Sequence, residues 1–232
     1  MVVVVALVVV LAVTFHPAAR SGTNVVGTAL AYSQTTGPAR AAETNMSGGP
    51  WTLELVAGLG VGQSASGPAA SAGLGFTGCT PVWSASGSVV APATPSSAAE
   101  GEVAVWLIIS ENTSGGWLVT LVASPAGTVV ATNLDVLTGT CFSQFMEFGS
   151  PPATVIDSPA AVASANAAGG SAFLSGHSVQ AVELLILGQY WGVEYSTCSP
   201  YATSGSGSEW LQIVNDTTGA TFGAPDVTTV TC

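Results

Sequence analysis

Runs of β-branched and aromatic residues, partly alternating with polar ones and bounded by Gly, Ser and Asn, recur along this chain. The clearest begin at Trp51, Val103, Trp117, Thr128, Val182, Trp191 and Trp210. Such runs predict β-strands, because branched and aromatic side chains pack well on a pleated surface. Turn chemistry closes several of them, as at Leu137-Thr138-Gly139 and from Asn215 to Gly219. Two Ala-rich stretches interrupt the strand pattern and predict short helices.

The two helical stretches align without a gap. Pro38, Ala39, Ala42, Asn45, Gly48 and Gly49 match Pro159, Ala160, Ala163, Asn166, Gly169 and Gly170. Pro suits the first helical position, where its missing N–H costs nothing, and Gly supplies a left-handed stop. Asp157-Ser158 adds an N-cap to the second copy. Downstream, the run from Val103 corresponds to that from Val182, Trp117 to Trp191, and residues 128–139 to 210–219. The predicted fold is therefore α+β, with two similar units, each a short helix packed on a three- to four-stranded antiparallel sheet. The first unit spans residues 36–150, with an insertion at 62–101 rich in Gly, Ala, Ser and Pro, read as loop or irregular strand. Pro151-Pro152 marks a linker, and the second unit spans residues 153–232.

Residues 1–20 read as a signal peptide or a short membrane anchor. The apolar run at 2–15 has the length of a signal h-region, although no basic residue precedes it. Four cysteines in an exported chain predict two disulfides. Three pairings are open; Cys79–Cys141 and Cys198–Cys232 are favoured because each lies within one unit. Asn45, Asn112 and Asn215 stand in glycosylation sequons.

Charge narrows the setting. The chain has no lysine, and its two arginines, Arg20 and Arg40, face thirteen carboxylates, for a net charge of −11. Only 6% of residues are charged, against about 25% in ordinary domains. Carboxylates without cations can only repel one another, and protonation removes that repulsion. The expectation is an acid-tolerant protein, extracellular or at the cell surface, in an acidic environment. A nucleic-acid partner is excluded for want of a basic footprint, and an anionic membrane surface for the same reason. No zinc spacing, Schiff-base lysine or phosphate loop is present, so no metal or cofactor is expected.

The second unit carries a resemblance. An Ala-rich helix ending in Gly169-Gly170, a strand, then Trp191-Gly192-Val193-Glu194-Tyr195, then a strand closing from Val214 to Gly219, resembles the PepSY module. The match is best over residues 158–221. The sparse charge and the two cysteines per unit depart from the family's pattern. The resemblance implies a cystatin-like α+β fold and a non-catalytic role in binding or restraining peptidases.

Several residues are candidates for chemistry or binding. Glu183, Glu194 and Glu209 fall on or beside predicted strands. Paired carboxylates can share a proton and cleave peptides in acid, so Glu194 or Glu209 with Gln212 or Gln189 defines an acid-peptidase alternative. His177, before Ser178, reads as a loop histidine, because the nucleophile-elbow pattern there lacks its last glycine. Trp191 and Trp210, with Trp117, read either as a ligand platform or as core packing, the commoner use of tryptophan on strands. An exposed sheet edge would bind a peptide by strand addition. The expected partner is a peptidase or another extracellular protein, and a structural role at the cell surface is the third reading.

Overall fold

The computed structural model describes residues 25–26, 29–45, 49–61, 71–77, 80–90, 100–103, 105–114, 117–123, 128–133, 150–198 and 204–232. The expected signal or anchor, Cys79 and Cys141 lie outside the described residues. In chain order the elements are β1 (Val25–Val26), a 3₁₀ turn (Tyr32–Gln34), α1 (Thr36–Asn45), β2 (Trp51–Val61), β3 (Ser71–Thr77) and β4 (Thr80–Val90). Then come β5 (Val105–Asn112), β6 (Trp117–Ala123), β7 (Thr128–Asn133), α2 (Ser158–Ala165), a π turn (Asn166–Gly170) and α3 (Ser171–Gly176). The chain closes with β8 (Ala181–Leu187), β9 (Tyr190–Ser196), β10 (Ser206–Asn215) and β11 (Thr221–Thr231).

The fold is α+β. Eight strands form one antiparallel sheet in the order β11-β10-β9-β8-β2-β5-β6-β7. The order reads outward in both directions from the central β2–β8 pair, and each arm is a meander that follows a helix. Counted outward from that pair, β2 and β8 hold equivalent places in the order, as do β5 and β9. The sequence alignment, which sets the Val103 run against the Val182 run, is one strand out of step with this order. The insertion holds β3 and β4, which form a separate sheet with β1 in the order β1-β4-β3, the β3–β4 register slipping between Ala72 and Gly73.

Both helices pack on one face of the large sheet, α1 against β6 and β7, α2 against β9 and β10. Ala39, Ala161, Val162, Ala165 and Phe173 meet Val56, Trp106, Leu184, Trp191, Tyr195 and Trp210 there. Strand alternation places Leu55, Leu107, Ile109, Leu185 and Leu187 on the opposite face, and these too are buried. A sheet buried on both faces needs apolar residues at consecutive positions, which is why β5 and β8 read as near-continuous apolar runs. Gly58 makes the centre possible. A Cβ there would stand 2.8 and 2.9 Å from Trp106 ring atoms and 2.7 Å from Val103 Cγ2.

Asp157 caps α2, its carboxylate accepting from the Ser158 N–H at 2.9 Å, with Pro159 in the second helical position. Pro38 is the third residue of α1 rather than the first. The expected stop at Gly169-Gly170 is a kink instead. Gly169 turns to φ 129° and the chain continues as α3. Gly170 sits where a Cβ would meet Asn166 Oδ1 at 2.7 Å and Tyr195 Cε2 at 2.9 Å, so packing on the sheet holds this segment helical.

Candidate functional site

The residues singled out from the sequence distribute over the two faces and one edge of the β8–β11 arm. On the face away from the helices, Glu183 of β8 lies directly opposite Glu194 of β9. Glu209 of β10 faces Ser196, one diagonal step from Glu194. Glu194 is 7% exposed; Glu183 and Glu209 are half-buried. Burial raises all three carboxyl pKa values above their ordinary value. The charge of Glu209 adds to the effect on Glu183, and the charges of both neighbours add to that on Glu194. The Ser196 hydroxyl, bonded to Glu209, works the other way. Like charges this close in a partly dry site favour proton retention. The three carboxyl groups thus share one sheet face. Among the described residues no group of three His, Cys, Asp or Glu is arranged to hold a metal ion.

Gln212 does not join them. It pairs with Val193 on β9 and so points to the helix face, where its Nε2 donates to Ile213 O at 2.9 Å and Phe222 O at 3.3 Å. The pairings drawn from the sequence with Gln212 are thus split across the sheet, because residues 209 and 212 differ by an odd number of strand positions. Trp191 and Trp210 are 0% and 2% exposed, so neither indole offers a platform to solvent. Trp191 donates to Ile156 O at 3.1 Å, and Trp210 stacks on Tyr195 with centroids 5.2 Å apart. The tyrosine in turn donates to Asn166 Oδ1 at 2.7 Å. These aromatics bind the π turn to the sheet. His177 stacks on Phe173 at 4.1 Å, with Nδ1 3.1 Å from Phe173 O, at the end of α3.

The edge strand is the element that sequence reasoning missed. Among the described residues β11 pairs only with β10, and it carries Phe222 and Val227, the exposed large hydrophobics among them, at 57% and 59%. Gly223 and Pro225 interrupt its strand pattern, though an edge tolerates Pro. The continuous β-branched run Val227-Thr228-Thr229-Val230 was the available signal. Cys232 N donates to Gly205 O at 3.0 Å, which fixes the alternation: residues 228 and 230 turn their backbone toward β10, and Val227, Thr229 and Thr231 turn theirs outward. The Cys198–Cys232 disulfide, favoured from the sequence, is present and pins the end of this strand.

No family model matches the chain, and no curated protein matches it. Among solved structures it is similar to a chain described as a putative lipoprotein from Clostridium difficile 630. The identity is 7%, over 83% of this chain and 90% of that one, with a TM-score of 0.38.

Proposed function

We propose that this protein is an exported, acid-tolerant, non-catalytic binding module of two PepSY-like units that holds an extended segment of a partner protein along β11. The observation that carries the reading is the open edge, with outward N–H and C=O groups at Val227, Thr229 and Thr231 and apolar anchors at Phe222 and Val227. An added strand would satisfy those groups and cover those side chains. A peptidase is the partner class that the resemblance suggests. The mirrored strand order about β2–β8 supports the two-unit reading, and the proton-holding carboxylates support work in an acidic extracellular or cell-surface setting.

The same trio supports a second reading, an acid peptidase acting through Glu194 and Glu209. Peptide-bond hydrolysis at about pH 3, below the reference carboxylate pKa, separates the two. The protein is assayed alone and mixed with an acid peptidase secreted by the same organism. No cleavage alone, with the added peptidase slowed, supports the binding module. Cleavage by the protein alone, lost in Glu194→Gln, overturns it. Large assemblies with no effect in either assay favour a structural surface component, joined through the same edge.

A further inference from the structure

A cleft lies beside α1, on the helix side of the sheet. The 3₁₀ turn, α1, the start of β2 and residues 151–157 enclose a cleft of about 720 Å³, within the size range of small-ligand sites. Trp51, Leu53, Ile108, Pro151 and Pro152 give it an apolar wall. At its polar end are Tyr32, Arg40, Glu43 and Asp157. Arg40, Glu43 and Asp157 line the cleft together with Tyr32, and all three act electrostatically on its phenol. In a chain with two arginines and no lysine, Arg40 is the one Lys or Arg among the described residues, and it is exposed, with no carboxylate in salt-bridge contact among them. Glu43 accepts from the Ser110 hydroxyl at 2.6 Å. Asp157 accepts from Ser33 N at 2.8 Å and Ser33 Oγ at 2.6 Å. Those bonds hold both carboxylates in place and leave lone pairs over, since a carboxylate offers about four acceptor sites.

We propose that this cleft binds a zwitterionic ligand of the amino-acid or short-peptide class with apolar side chains. Arg40 takes the ligand carboxylate, Glu43 or Asp157 its ammonium, and the Trp51–Leu53–Ile108 wall its side chains. The argument is charge complementarity. An anion alone would meet two carboxylates for one guanidinium, and a cation alone would leave Arg40 unused. A ligand with one charge of each sign uses both.

The test is calorimetric titration of the full chain with L-leucyl-L-leucine at pH 5, where the dipeptide carries both charges, and with its N-acetyl and C-amide forms. The dipeptide binds best, and each capped form is weakened about tenfold, the loss of roughly 1.4 kcal/mol. Arg40→Gln, at an exposed position that does not disturb folding, removes the preference for acid over amide. Glu43→Gln, which keeps a partner for Ser110, reduces the preference for free amine over acetyl. Equal binding of all three peptides, unchanged preference in Arg40→Gln, or no binding at millimolar concentration overturns the proposal. None of these outcomes bears on β11, so this site and the edge fail separately.

Discussion

Trp106 and Trp191 meet edge to face, ring centroids 6.2 Å apart at 76°, although they stand on strands β5 and β9 that do not touch. Two strands lie between them, and Gly58 on one of these gives the Trp106 ring its place. Each indole donates to the carbonyl of a residue two before a helical turn, Trp106 to Leu30 at 2.9 Å and Trp191 to Ile156 at 3.1 Å. Tyr32 packs on both rings, at 5.7 and 5.8 Å. Its N–H takes the Ser158 hydroxyl as acceptor at 2.9 Å, so the two helix starts touch. The halves of the sheet are thus locked through one aromatic cluster.

Gly58→Ala should test that lock. The added methyl would enter the Trp106 ring and Val103. Overpacking of this kind costs about 1–3 kcal/mol. Urea denaturation should show a lower midpoint with an unchanged slope.

Stability should depend on pH in an unusual sense. Glu183 is pushed up from 4.5 to about 8 by burial and by Glu209, and Glu194 and Glu209 are also raised. Between the unfolded and folded values the native state holds more protons than the unfolded one, so the trio's stabilisation is full below about pH 4.5 and is lost as pH rises toward 8. Thermal unfolding from pH 3 to 8 should give a falling melting temperature. Glu194→Gln should flatten the curve, raising stability at neutral pH and changing it little at pH 4.

The Cys198–Cys232 bridge closes a separation of 34 residues. In the chain-entropy model it contributes about 3–4 kcal/mol. Replacing both cysteines with serine should lower stability by that order. Because the bridge pins the last residue after β11, hydrogen exchange should accelerate in β11 before β8 or β9.

Asp157 caps α2 and ties the 3₁₀ turn to it through Ser33. Asp157→Ala should cost about 1–2 kcal/mol, and Asp157→Asn, which keeps an acceptor, should cost less. Paired urea melts would check the difference.

Strands β8, β9 and β10 were legible because Val182, Trp191 and Trp210 open dense β-branched and aromatic runs between clear turns. The turn after β10 forms as its residues suggest, with Asn215 Oδ1 accepting from Thr217 N and Thr218 N at 3.1 and 2.8 Å and Gly219 at φ 72°. Three features were not legible. β11 was hidden by Gly223 and Pro225, which an edge strand tolerates. The helix beyond Gly169 was hidden because packing of Gly170 on Tyr195 overrides a local stop signal. The environment of Glu183 and Glu194 was hidden because alternation put them opposite the Trp191 face, and only the assembled sheet makes that second face buried too. Strand parity could have separated Gln212 from Glu209, but only once both were assigned to one strand.

The most direct measurement is inhibition of a secreted acid peptidase of the same organism at about pH 3 by the wild-type chain and by Thr229→Pro. The Thr229 N–H points away from β10, so proline there removes an outward donor and leaves the existing ladder intact. The account predicts that the wild type slows the peptidase without cleaving substrate itself, and that Thr229→Pro, folded to the same melting temperature, does not slow it. Equal inhibition by both proteins, no inhibition by either, or hydrolysis by the wild-type chain alone would contradict it.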